Sequence, residues 1–112
     1  MSAIHVLTCY LSLLVVAMSA TARDCQKAPG NPKRGKLVFE LCRACHKANT
    51  DGKKAAPALK GLFKKPRMTN GKKPTEENVR TLISEGVNGM PAYKDLLNEK
   101  EKRDLMAYLR TQ

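Results

Sequence analysis

A chain of 112 residues has room for one domain once any targeting segment is set aside. Its formal net charge is +11, and since residues 1–22 contain no Lys, Arg, Asp or Glu, all of that charge falls on residues 23–112. So basic a surface suits an acidic protein, an anionic membrane or nucleic acid, but the aromatic interleaving of a single-strand binder is missing, and the absence of Trp leaves a thin core that calls for a staple.

Residues Ile4 to Met18 form a nearly unbroken apolar run, and Ala20-Thr21-Ala22 supplies an A-x-A cleavage site. The run is shorter than the roughly 20 apolar residues of a membrane span. Residues 1–22 therefore read as a cleaved secretory signal peptide in preference to a retained anchor, although its n-region lacks Lys and Arg. Export to the periplasm or an equivalent compartment is expected, without stable membrane insertion after cleavage. Nucleic acid is then not an expected partner. Cys25 follows Asp24 rather than a small residue, so lipidation is not expected there, and an unpaired thiol is the simpler reading. Residues 23–30 read as a flexible lead-in, and 31–112 as the domain.

Asn31-Pro32 has the form of a helix start, with Asn as cap and Pro at the first helical position. The predicted helix runs to about Cys42, with Gly35, Val38, Phe39, Leu41 and Cys42 inward and Lys33, Arg34, Lys36 and Glu40 outward. Glycine weakens a helix interior, so Gly35 predicts close approach of another element. From Lys47 to Lys73 the chain is basic and rich in Gly and Pro, with a short helical turn predicted over about Ala58 to Lys64. So much irregular chain in a small domain usually wraps something. Thr75-Glu76-Glu77 opens a second helix, with Val79, Leu82 and Ile83 as its buried stripe and Gly86 as its end. Asn98 to Glu101 has the spacing of a capping box, opening a last helix through Arg110 with an apolar seam of Leu105, Tyr108 and Leu109 and with Met106 alongside. No strand pattern or repeat is present, so the fold class is all-α.

Cys42-Arg43-Ala44-Cys45-His46 is a C-x-x-C-H run. Two thiols at this spacing can form thioether bonds to the vinyl groups of one haem, and the following imidazole is carried to the iron. A flat apolar cofactor would also be the missing staple. Two other chemistries share part of the pattern. Cys25, Cys42, Cys45 and His46 could form a Cys₃His zinc module, although adjacent Cys and His are awkward as ligands of one ion. Cys42 and Cys45 could be a thiol–disulfide pair, although the βαβ context of such motifs is absent.

Taken in order, four stretches resemble the class I cytochromes c: Gly35-Lys36-Leu37-Val38-Phe39, the C-x-x-C-H run, Gly89-Met90-Pro91-Ala92-Tyr93, and Asp104-Leu105-Met106-Ala107-Tyr108-Leu109. The resemblance spans residue 31 to the C-terminus. It implies the cytochrome c fold, with three main helices plus short helical turns and loops around one covalent haem c held by Cys42 and Cys45. It implies His46 and Met90 as the two axial iron ligands, and Gly35 and Phe39 packed on the last helix near Leu105 and Tyr108. Met68, in a basic loop, and Met106, at core spacing, are poorer ligand candidates. Ala56-Pro57-Ala58-Leu59-Lys60-Gly61 is similar to the family's Gly-Pro-x-Leu-x-Gly segment. Pro57 and Leu59 then fall on cofactor-binding positions, the Pro57 carbonyl accepting the His46 ring N–H. The chain departs from the family in having Ala56 where Gly is common. It also has no Trp for a haem propionate, leaving Arg67 or a neighbouring Lys as a substitute. The resemblance further implies a monomeric one-electron carrier that works by outer-sphere transfer and not an enzyme. Its redox protein partners would present acidic faces to the basic residues between Lys53 and Lys73. Were Met90 not a ligand, an open site could take a small ligand or peroxide.

Overall fold

The computed structural model describes residues 28–52 and 54–112. The signal peptide expected at 1–22, most of the lead-in, Cys25 and Lys53 lie outside the described residues. Three α-helices follow one another, α1 (Pro32–Phe39), α2 (Glu76–Glu85) and α3 (Glu99–Arg110), with a 3-10 turn at Leu62–Lys64. Among the described residues there is no strand, only a single bridge pairing Val87 with Met90.

The Asn31 side chain accepts hydrogen bonds from the backbone N–H groups of Lys33 and Arg34, and Pro32 occupies the first turn of α1, where no N–H is needed. The helix ends at Phe39, earlier than Cys42. Beyond it Glu40 and Leu41 donate to the carbonyls three residues back, Leu37 and Val38, so the coil tightens before the first cysteine. Gly35 and Phe39, four residues apart, form the buried face, with Val38 half-buried beside them. Leu41 was expected inward and instead is 53% exposed. It stands two positions after Phe39, a separation that does not share a helix face.

α1 crosses α3 at Gly35. A Cβ placed there would sit 1.9 Å from the Asp104 carbonyl oxygen and 2.7 Å from the Tyr108 Cβ, so only hydrogen fits between the two backbones. One turn on, the rings of Phe39 and Tyr108 meet at 5.4 Å between centroids, tilted by 50°. Arg34, expected outward, is half-exposed but turns its guanidinium onto the buried carboxylate of Asp104 at 2.8 Å. A carboxylate buried in an apolar seam attracts the guanidinium strongly enough to bend it back.

α2 is capped by Thr75, whose hydroxyl accepts from the Asn78 N–H, and carries Glu76 and Glu77 at its positive end. Val79 and Ile83 are buried and Leu82 is half-buried. α3 begins with a complete capping box between Asn98 and Glu101. Leu105, Met106 and Leu109 are 1–3% exposed, while Tyr108 is half-buried. With Phe39, Ala48, Leu62, Val79, Ile83 and Leu97 they make one continuous core. Each large aliphatic side chain so buried contributes roughly 1.5–3 kcal/mol.

At the far end of α3, Arg110 lies 4.6 Å above the Phe63 ring and pairs with Glu76 at 2.7 Å. It thereby ties the 3-10 turn, α2 and α3 together. Of the helical turn expected over Ala58 to Lys64 only Leu62–Lys64 is helical, entered through Gly61.

Candidate functional site

The C-x-x-C-H run lies directly beyond α1 in a chain of turns. The Cys45 and His46 N–H groups both donate to the Cys42 carbonyl, at 3.1 and 2.9 Å, which brings the three functional side chains onto one short coil. Cys42 is half-buried against the core, Cys45 is exposed, and both thiols are free.

The coil is fastened to the following segment by successive hydrogen bonds. Ala56 N–H donates to the Cys45 carbonyl at 3.1 Å, and Leu59 N–H to the Lys47 carbonyl at 2.8 Å. Between them, His46 Nδ1 lies 2.7 Å from the Pro57 carbonyl oxygen. A carbonyl can only accept, so the proton is on Nδ1 and the Nε2 lone pair is the one left to bind a metal. The ring is oriented by its neighbours on both sides, as metal-binding histidines are.

Leu59 is half-buried against the core, as are Phe63, Met68, Met90 and Tyr93, contributed by the loops between the helices. Met90 is presented by a tight turn in which Val87 and Met90 exchange backbone hydrogen bonds of 3.2 and 2.7 Å. The turn depends on positive φ at Asn88 (32°) and Gly89 (87°). It is anchored to the end of α2, because Tyr93 N–H donates to the Ile83 carbonyl at 2.9 Å. Cys42, Met90 and Tyr93 all pack against the same core cluster, and burial raises the Tyr93 hydroxyl pKa. The methionine loop and the cysteine coil therefore border the same region. Met106 is fully buried in the core, away from any ligand role, and Met68 packs at the core margin.

These features bear on the competing chemistries. Burial pushes the Cys42 thiol up to about 11, opposite to the lowered pKa by which thiol–disulfide enzymes hold a reactive thiolate. Among the described residues, no three His, Cys, Asp or Glu side chains converge on one metal position. The arrangement fits a haem instead: two free thiols at C-x-x-C spacing on one coil, an imidazole with Nε2 available, and half-buried apolar side chains packed against the same core as Cys42. Pro57 and Leu59 are brought to His46 by the hydrogen bonds above. Arg67, a candidate for a propionate, donates from Nη1 to the Gly71 carbonyl at 2.9 Å and so braces its own loop.

Sequence reasoning missed Asp104. Only 2% exposed, its carboxylate accepts from the Asn31 N–H at 2.6 Å, from Arg34 Nε and Nη2 at 2.8 and 3.3 Å, and from Lys100 Nζ at 3.3 Å. The Arg34 hydrogen bond above all holds its pKa well below the usual carboxylate range. Its one legible signal was an acid inside the apolar seam of the last helix.

The chain matches the protein family described as cytochrome C oxidase, cbb3-type, subunit III, over residues 30–109. No curated protein sequence matches it significantly. Among solved structures it is similar to cytochrome c6 from the diatom Phaeodactylum tricornutum, with a TM-score of 0.57 and 25% identity over 73% of this chain and 93% of that one. It is also similar in fold to cytochrome cH from Methylobacterium extorquens, with a TM-score of 0.54 and 21% identity over 74% of this chain and 100% of that one. The three helices, the loops around the C-x-x-C-H coil and these matches together assign the cytochrome c fold. The chain belongs to this family of c-type cytochromes and is a monohaem electron carrier with one covalently attached haem c.

Proposed function

We propose that the protein is an exported one-electron carrier in which Cys42 and Cys45 hold the haem by thioether bonds and His46 and Met90 are the axial ligands. The observation that carries this reading is the 2.7 Å approach of His46 Nδ1 to the Pro57 carbonyl, which leaves Nε2 as the ligand atom and fixes the plane of the ring. When bound, haem supplies reversible one-electron chemistry.

The chain's part is to hold still. Pro57 restricts its own backbone, Leu59 is tied to Lys47, and the Met90 turn is tied to α2, so both axial side chains stand on braced segments. A carrier whose ligands stay in place in both oxidation states has little to rearrange, which favours outer-sphere transfer. The soft thioether of Met90 favours the reduced state and raises the potential. With His46 and Met90 both holding the iron, the haem would keep no open position for a substrate, and the protein would act as a carrier rather than an enzyme. Its partners are redox proteins with acidic docking faces, and it works as a monomer. Export rests on the signal-like segment at 1–22, and no helix among the described residues is long and apolar enough to cross a membrane.

Absorption spectroscopy of protein matured with haem-attachment machinery tests the ligands. Haem staining that survives denaturation and a weak far-red band of thioether ligation in the ferric protein, lost in Met90→Ala, are expected. A wild-type protein that lacks the band and binds added imidazole or cyanide as readily as Met90→Ala overturns the Met90 assignment. Loss of covalent haem in Cys42→Ala and Cys45→Ala tests the thioethers separately.

A further inference from the structure

The sequence holds two Asn-Gly pairs, Asn70-Gly71 and Asn88-Gly89. Such a pair is chemically labile, because glycine has no side chain to hinder its amide nitrogen from closing on the asparagine side chain. Both pairs lie in exposed turns with the glycine at positive φ, 81° and 87°, and a Cβ on either glycine would meet nothing within 4 Å. Crowding therefore protects neither.

Hydrogen bonds protect one of them. Asn70 Oδ1 accepts from the Lys72 N–H at 3.1 Å, and the Gly71 N–H, the group that would attack, donates to the Met68 carbonyl at 2.9 Å. In the second pair, neither the Asn88 side chain nor the Gly89 N–H has a hydrogen-bond partner among the described residues. The two backbone hydrogen bonds of that turn both run between its outer residues, Val87 and Met90, and leave its tip free.

We propose that Asn88-Gly89 is a site of spontaneous deamidation, and that the isoaspartyl product loosens the turn that presents Met90. The Gly89 nitrogen attacks Asn88 Cγ and gives up its proton, the bond from Cγ to the side-chain nitrogen breaks, and that nitrogen leaves as ammonia. Water then opens the cyclic succinimide. Cleavage between its nitrogen and Cγ gives an aspartyl residue, and cleavage between its nitrogen and the main-chain carbonyl carbon gives an isoaspartyl one. In sum an amide and water become a carboxylic acid and ammonia, with nothing oxidised or reduced. The isoaspartyl form carries an extra methylene in the main chain. A tight turn closed at both ends by backbone hydrogen bonds has no room for it, so the pairing of Val87 with Met90 opens. The new carboxylate also places negative charge on the methionine loop, which favours the ferric state and lowers the potential. The modification stands by itself, whereas its effect on the haem rests on the reading of Met90 as an iron ligand.

The test ages the ferric holoprotein at mildly alkaline pH and maps it by proteolysis and mass spectrometry. Conversion at Asn88 is expected to run about tenfold faster than at Asn70, whose two hydrogen bonds must first break. Labelling by an isoaspartyl methyltransferase should mark the same Asn88 peptide. The far-red band of thioether ligation should fall in step with isoaspartyl content, and added imidazole should bind more readily. Asn88→Gly keeps a residue suited to positive φ but has no amide to lose, so its band should outlast that of the wild type. Asn88→Asp supplies the charge without the methylene, and should lower the potential while keeping the band. Conversion at Asn70 as fast as at Asn88 overturns the site. A band that persists in isoaspartyl-containing protein, or that decays equally in Asn88→Gly, overturns the effect on the turn. A fresh wild type without the band defeats the Met90 assignment instead, and the peptide masses still decide the site.

Discussion

The carboxylate of Asp104 accepts the backbone N–H of Asn31 at 2.6 Å, so the residue that caps the first helix is itself held by the last. Asn31 in turn satisfies the N–H groups of Lys33 and Arg34, and Arg34 returns to Asp104. The start of α1 and the middle of α3 are thus one hydrogen-bonded unit, and the haem-attachment coil hangs from its other end.

This unit makes stability depend on acid. Because the folded-state pKa of Asp104 is depressed, its stabilisation is complete above the unfolded-state value of about 3.9 and is lost as pH falls through the lower folded value. Asp104→Asn should lower the unfolding free energy of the holoprotein by about 1–3 kcal/mol at neutral pH. Denaturant titrations of the two proteins should converge as the pH falls below that of an ordinary carboxylate. A gap that stays constant with pH would assign the loss to packing alone.

Gly35→Ala sets two effects against each other. In an exposed helix the change gains about 1 kcal/mol of helix propensity. Here the new methyl meets the Asp104 carbonyl at 1.9 Å, backbone that cannot step aside, and overpacking of this kind costs about 1–3 kcal/mol or more. Net destabilisation is expected in urea unfolding, with a drop in the yield of haem-loaded protein, whereas Lys36→Ala on the exposed side should be nearly neutral.

Pro57→Gly keeps the carbonyl that accepts from His46 but frees the backbone that presents it. The unfolded chain gains entropy worth about 1 kcal/mol. The His46 ring N–H should exchange faster with solvent, read by NMR of the ferrous protein, and the reduction potential should shift as the imidazole loses its fixed orientation. An unchanged exchange rate would mean that the flanking Ala56 and Leu59 hydrogen bonds hold the segment without the proline.

Removing the capping box isolates a purely local term. Asn98→Ala should cost about 1 kcal/mol in thermal or chemical unfolding, because the Glu101 N–H loses its acceptor at the start of α3. The haem spectrum should not change, since neither residue touches the site.

Local signals were readable in the sequence because they need only neighbours. Asn31-Pro32, Thr75 with its two acids, and the Asn98–Glu101 box each satisfy helix-end N–H groups within one turn, and all three open helices where the pattern put them. The C-x-x-C-H spacing is likewise local, as was the anomaly of Gly35, a glycine that only a crossing element justifies. Tertiary structure alone decided the rest. It ended α1 at Phe39, turned Leu41 outward, and reduced the expected turn at Ala58 to Lys64 to its last three residues. It also buried Asp104 and folded Arg34 onto it, since a charge in an apolar seam can be placed only once a partner distant in sequence is in reach. The His46–Pro57 contact, which in the sequence only the resemblance of residues 56–61 implied, also needs the fold: the two are eleven positions apart, and the bond forms because the Cys45–Ala56 and Lys47–Leu59 pairings bring carbonyl and ring together.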